Sequence, residues 1–162
     1  VRHRFVAALA AALSLLPAAA LAVPQVGKPA PALSLPSIDG KSVSLERLRG
    51  KPVYLNFFAN WCGPCNVEAP SIGALRRKYA SRGLAVVGVD ELDPPGGAAT
   101  FEKKYNDPYG FVGIDDSGSV GRTFGAVAMP VHVFIDKNGI VRTFRIGEMN
   151  AVQIETAIKT IL

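Results

Sequence analysis

Cys62 and Cys65 are the two cysteines of a 162-residue chain, separated by Gly63 and Pro64 and preceded by Trp61. A bond between them would close so small a loop that it would restrict the unfolded chain very little, so the pair serves chemistry or metal rather than stapling. At the start of a helix this spacing puts the first sulfur among backbone N–H groups without partners and the second one turn later, within bonding distance. The positive end of the helix dipole then favours the thiolate of Cys62, the form that attacks a disulfide. Pro64 fits the first helical turn, where its missing N–H forfeits no bond, and Gly63 leaves the approach open. The pair therefore reads as a redox dithiol.

Three other chemistries use cysteines at this spacing. A structural zinc site wants four ligands, and beyond the cysteines the chain offers only His132 once the N-terminal segment with His3 is set aside. Covalent haem attachment requires a histidine directly after the second cysteine, where this chain has Asn66. Copper(I) is the stronger rival, because thiolates suit it and Met129 and His132 offer further ligands.

The elements that must position the dithiol are legible in outline. Val53 to Ala59 is a β-branched and aromatic run that reads as a strand buried on both faces. A helix follows from Gly63 to about Arg82, with Val67, Ala69, Ile72, Leu75 and Tyr79 expected on its buried face and a bend at Pro70. Gly83 stops it, and Leu84 to Asp90 forms a second buried strand, parallel to the first across a helical crossover. Helix is expected over Ala98 to Tyr105, a short strand over Phe111 to Ile114 and a short helix over Ser117 to Phe124. Val131 to Asp136 and Ile140 to Ile146 form a hairpin around Asn138-Gly139. A last helix spans Asn150 to Leu162, with Ile154, Ala157, Ile158 and Ile161 inward. Upstream, Pro24, Gly27, Pro29, Pro31 and Pro36 in the Val23 to Lys41 segment predict an extended arm that ends in a turn at Asp39-Gly40, followed by one helical turn over Ser44 to Leu48. The fold class is α/β: a three-layer sandwich with a central mixed sheet, parallel in part and antiparallel at its C-terminal edge.

Residues 1–22 carry Arg2 and Arg4, an apolar run from Phe5 to Leu16, Pro17 and then Ala20-Leu21-Ala22. That is the layout of a secretory signal peptide with an A-x-A cleavage site, or of an uncleaved anchor if the apolar run extends through Val23. Residues 23–162 then form the domain. Either fate exports the domain. The formal charge of +5 falls to +3 without Arg2 and Arg4, which makes no case for nucleic acid.

On these residues the sequence resembles the thioredoxin superfamily, and within it the exported TlpA-like and ResA-like thiol:disulfide reductases. The resemblance spans Pro24 to Leu162 and is carried by Gly50-Lys51-Pro52, Asn56 to Cys65, Glu68-Ala69-Pro70, Met129-Pro130 and Phe134 to Gly139. It implies a thioredoxin-like fold with Cys62 as nucleophile, Cys65 as resolving thiol and Pro130 as a cis-proline against the dithiol. Trp61, Met129 and Pro130 make up the expected substrate-facing set. Glu68 lies on the Cys65 face of the helix, where its carboxyl can exchange a proton with that thiol; otherwise it is a solvated helix glutamate. Thioredoxins hold a buried aspartate where this chain has Asn56, which cannot titrate, and a small or hydroxyl residue where it has Met129. His132 is expected as a packed or partly exposed strand residue.

Gly63-Pro64 carries no charge to stabilise a thiolate, which places the pair toward the reducing end. The resemblance further implies no cofactor beyond the Cys62–Cys65 disulfide, a monomer and a DsbD-like or CcdA-like membrane electron donor. The expected clients are exported proteins with cysteine pairs: apocytochrome c, in cytochrome c biogenesis, or copper-assembly proteins of respiratory oxidases. A copper(I) chaperone and a disulfide-forming oxidant are the alternatives.

Overall fold

The computed structural model describes residues 23–162; the leader expected over residues 1–22 lies outside them. Among the described residues no helix is long and apolar enough to cross a membrane.

The centre of the fold is β3 (Val53–Phe58), in which every residue is buried. Its β-branched and aromatic side chains suit a pleated surface covered on both sides. It pairs parallel with β4 (Ala85–Glu91), which pairs parallel with β5 (Phe111–Asp115). On its other side it pairs antiparallel with β6 (Val131–Ile135), which pairs antiparallel with β7 (Val141–Ile146). The resulting order, β5-β4-β3-β6-β7, is the mixed sheet expected, with its antiparallel strands at the C-terminal edge.

Alternation along β3 sorts the two cores. Tyr54 and Phe58 join Phe134, Val86, Phe101 and Tyr109 on one face, beneath α1 (Gly63–Tyr79), α2 (Gly97–Tyr105) and α4 (Ala151–Lys159). Val53, Leu55 and Phe57 face the opposite way, against Val87, Val89, Val131 and Val133. That second face is covered by Leu33, Leu35, Val43 and Leu48 from the N-terminal arm and by Phe124 at the end of α3 (Ser119–Thr123).

The arm is more than extended chain. Ser34–Pro36 (β1) and Ser42–Ser44 (β2) pair antiparallel around the expected turn, where Gly40 takes a left-handed φ of 78° and its N–H meets the Ser37 carbonyl. Three-residue strands beside prolines carry no local pairing signal, so the hairpin is set by the apolar sheet face it covers. The expected turn after Ser44 is a 3-10 turn over Glu46–Leu48.

Helix α1 runs through Pro70 to Tyr79 and gives way to a 3-10 turn, Ala80–Arg82, closed by Gly83 at φ 78°. Its buried face is Cys65, Glu68, Ala69, Ile72, Gly73, Leu75 and Tyr79. Val67, expected on that face, is instead 67% exposed. At 100° per residue it falls on the side opposite Cys65 and Ala69, and hydrophobicity alone had placed it inward. Tyr79 Oη and Lys78 Nζ donate to Glu155 Oε1 at 2.6 and 2.7 Å, tying α1 to α4. Asn150 and Gln153 start α4 with a reciprocal capping box.

Gly88 of β4 is opposite Asn56 of β3, and the Tyr109 ring lies directly over it. A Cβ there would stand 2.6 Å from the Tyr109 ring and 2.9 Å from the Phe58 ring. Overpacking of this kind costs about 1–3 kcal/mol. Gly88→Ala is expected to lower the unfolding free energy by that amount, read as a lower urea midpoint at an unchanged m-value; an unchanged midpoint would show that the two rings move aside freely.

Candidate active site

The apolar β3 strand ends at Phe58, and the chain turns through Ala59, Asn60 and Trp61 into α1. Cys62 is the N-cap of that helix, in an extended conformation, and its Sγ accepts the Cys65 N–H at 3.3 Å. Pro64 occupies the first turn. Cys62 and Cys65 are joined by a disulfide with their Cα atoms 5.3 Å apart. Cys62 is 4% and Cys65 1% exposed, while Trp61 beside them is 60% exposed. Of the two sulfur-bearing residues Cys62 is thus the slightly less buried, next to the exposed Trp61.

Several polar groups fix the loop that presents the dithiol. Asn60 N–H donates to Asp93 Oδ2 at 2.7 Å. Asn66 Nδ2 donates to the carbonyls of Asn60 and Cys62 at 2.9 and 2.7 Å, and its Oδ1 accepts Tyr105 Oη and Lys104 Nζ from α2. Asn66 entered the sequence reading only as the residue that rules out haem attachment. Nothing local to its sequence points to a brace, because its partners come from α2.

The other two residues of the expected substrate-facing set, Met129 and Pro130, lead into β6. The Met129–Pro130 peptide is cis, as the resemblance implied. Pro130 is buried and its carbonyl accepts the Gly147 N–H at 2.8 Å. Met129 is partly buried against the cluster that contains both cysteines.

Glu68, one turn beyond Cys65, is 3% exposed and therefore not a solvated helix residue. Its Oε1 accepts the Met149 N–H and lies 3.4 Å from His132 Nε2; its Oε2 is buried without a partner. His132 is fully buried, with Nδ1 2.8 Å from Tyr54 Oη and 3.2 Å from Asn56 Nδ2. Both ring nitrogens face these residues, so the ring is committed to Glu68, Tyr54 and Asn56 and does not stand ready as a soft-metal ligand with Met129.

A family model described as AhpC/TSA family matches residues 26–144. The chain belongs to that family. It is 33% identical over 137 residues to the thiol-disulfide oxidoreductase ResA of Bacillus thuringiensis subsp. konkukian, covering 85% of this chain and 79% of that protein. It is 33% identical over 128 residues to the thiol:disulfide interchange protein DsbE of Pseudomonas fluorescens biotype C, covering 78% and 70%. A solved structure from Chlorobium tepidum, described as a DsbE thiol:disulfide interchange protein, superposes with a TM-score of 0.76 at 32% identity, over 85% of this chain and 98% of that one. This AhpC/TSA family member is accordingly a thioredoxin-like thiol:disulfide oxidoreductase of the ResA/DsbE type.

The fold also buries the carboxyls of Asp90, Glu91 and Glu102, which carry no sequence motif. Burial, then the neighbouring charge of Asp93, raises Asp90 at the end of β4 to about 8. Burial, then the charge of Asp115, raises Glu91 to about 7, and burial raises Glu102 to about 7. The signal that would have found Asp90 is a charged residue closing an otherwise apolar buried strand. Through Asp93, which accepts Asn60 N–H, it borders the loop that carries the cysteines.

Folded Asp90 keeps its proton up to about 8, whereas the unfolded chain releases it near the ordinary value of 3.8. Between those limits the folded state binds more protons, so stability falls as pH rises and levels off above the upper limit. Asp90→Asn is expected to weaken that decline, read as a smaller drop in urea midpoint between pH 5 and pH 8. An equally steep decline in the variant would show that Asp90 is ionised throughout.

Proposed function

We propose that this oxidoreductase works outside the cytoplasm as a reductant of protein disulfides, handing electrons to exported clients with cysteine pairs. The observation that carries the reading is the Cys62–Cys65 disulfide at the N-terminus of α1, with Cys62 next to the exposed Trp61. The leader-like residues 1–22 support export. The uncharged Gly63-Pro64 supports a reducing potential.

In the reduced protein the helix N-terminus stabilises the Cys62 thiolate. That sulfur attacks one sulfur of the client disulfide, forming a Cys62–client bond and releasing the other client sulfur, which takes a proton. Cys65 then gives its proton to Glu68 and attacks Cys62 Sγ. The mixed disulfide breaks, the Cys62–Cys65 bond forms, and the second client sulfur leaves as a thiol. The client gains two electrons and two protons. The dithiol is restored by the reverse exchange with a membrane electron donor of the DsbD or CcdA type. Trp61, exposed next to Cys62, and Met129, packed against the cluster that holds both cysteines, form with the cis Pro130 the surface on which a client strand is held.

Apocytochrome c, whose paired thiols must be reduced before haem attachment, and copper-assembly proteins of respiratory oxidases are the clients this chemistry fits. A monomer suffices, since the chain supplies every group the exchange uses. His132, turned toward Glu68 and Tyr54, lends no support to copper(I) handling by the same thiols.

Cys62→Ser is expected to abolish reduction of a model disulfide, and Glu68→Gln to slow release of the second client sulfur by about 100-fold, the low end for a positioned acid–base group. Cys65→Ala is expected to accumulate the mixed disulfide, and mass spectrometry of what stays attached in the cell envelope names the client. A potential near about −270 mV agrees with a reductant, and one near about −120 mV would make the protein an oxidant instead.

A further inference from the structure

Asn60, two residues before Cys62, makes no backbone hydrogen bond among the described residues. Side chains hold it instead: its N–H donates to Asp93 Oδ2 at 2.7 Å and its carbonyl accepts Asn66 Nδ2 at 2.9 Å. The second hydrogen of Asn66 Nδ2 goes to the Cys62 carbonyl at 2.7 Å, which also receives the Asn66 backbone N–H at 3.1 Å. Lys104 Nζ and Tyr105 Oη donate to Asn66 Oδ1 at 2.9 and 2.6 Å. Two donors on the oxygen leave the amide one orientation, with its NH2 group toward the two carbonyls, so every hydrogen-bonding position of the amide is in use.

Both holding residues are seated by α2. Lys104 and Tyr105 belong to its last turn, and Asp93 lies against its first residue, where a Cβ on Gly97 would overlap the Asp93 carboxylate. The turn that presents Cys62 is therefore clamped from a helix other than the one that carries the sulfurs. The clamp acts differently in the two redox states. With the disulfide closed, Cys62 is tied covalently to Cys65 in the first turn of α1. With it open, Cys62 stays the N-cap only through hydrogen bonds: its N–H to the Ala59 carbonyl, the Cys65 N–H to its sulfur, and the side-chain bonds on the Asn60 peptide groups and the Cys62 carbonyl. A bond that is redundant in one state and needed in the other stabilises the second more and shifts the equilibrium between them.

We infer that Asn66 and Asp93 are positioning residues of the dithiol that favour its reduced form, holding the Cys62 turn in the shape of a helix N-cap once the disulfide is open. The couple they bias is the one the family's reaction uses, in which the Cys62–Cys65 bond takes up two electrons and two protons and becomes two thiols.

The equilibrium of the pair with a dithiothreitol redox buffer, read by alkylating the free thiols and weighing the protein, tests this. Asn66→Ala is expected to shift it about tenfold toward the disulfide, for the loss of two hydrogen bonds of ordinary net strength. That corresponds to a potential about 30 mV more negative. Asp93→Ala is expected to shift it the same way by about fivefold, and Asp93→Asn, whose amide oxygen can still accept the Asn60 N–H, to stay close to the wild type. In urea, Asn66→Ala is expected to lower the midpoint of the reduced protein more than that of the oxidised one. A clamp with a merely structural role lowers both midpoints alike and leaves the equilibrium where it is; that result, or a shift toward the dithiol, overturns the inference. An Asp93→Asn variant displaced as far as Asp93→Ala overturns its Asp93 half. If Asn66→Ala does not fold, Tyr105→Phe, which leaves Lys104 alone on Oδ1, is expected to show a smaller shift in the same direction, and no shift there is equally fatal. The measurement uses no client, so a wild type that reduces no exported protein would sink the proposed function and still leave this equilibrium to decide on Asn66 and Asp93.

Discussion

At the start of α1 the Cys62 sulfur takes the place that a serine or aspartate oxygen fills at most helix N-termini, accepting the N–H three residues on. A reactive atom and a structural cap are therefore the same atom. The site depends on this coincidence, because the helix dipole that stabilises the thiolate acts only within the first turn. The buried β3 strand delivers Cys62 to that point, and Asn66 binds the carbonyls on either side of the turn. Once the cap is placed, Cys65 falls one turn on, bonded to Cys62 and buried.

Behind the dithiol the sheet face is apolar apart from one polar strip, Tyr54, Asn56, His132 and Tyr109, which meets Glu68 from the opposing helix. A buried polar strip is tolerated when its groups bond one another, and each link here fixes the donor or acceptor role of the next. Gly88 contributes by what it lacks: without a Cβ, it lets the Tyr109 ring lie across β4 so that the hydroxyl reaches Asn56. Carboxyls border the dithiol on its other flank as well, where Asp93 receives the Asn60 N–H and sits beside the neutral, buried Asp90.

Much of this was legible before any coordinates. The strand–dithiol–helix–strand order, the Asn138-Gly139 hairpin and the last helix all announced themselves by local pattern. The β1–β2 hairpin did not, because strands of three residues beside prolines look like any extended arm until the sheet face they cover is known. Val67 was misplaced for a related reason: its apolar side chain fits the helix pattern, but the face that packs is chosen by the sheet below. Asn66 and Asp93 carried no motif at all, since what makes them part of the site is the position of α2 and of the Cys62 turn.

The amino-acid order alone determined the dithiol, its station at a helix start, the proline after it and the mixed sheet, because these follow from spacing and periodicity within a few residues. Tertiary structure decided the environment of Glu68: whether that carboxyl meets water or a histidine 64 positions away in the chain depends on β6 pairing with β3 in one register. A shift of one residue would turn His132 to the opposite face and leave Glu68 without it. The paired sulfurs are thus a local property of this sequence, and the buried surroundings of Glu68 are a property of its folded sheet.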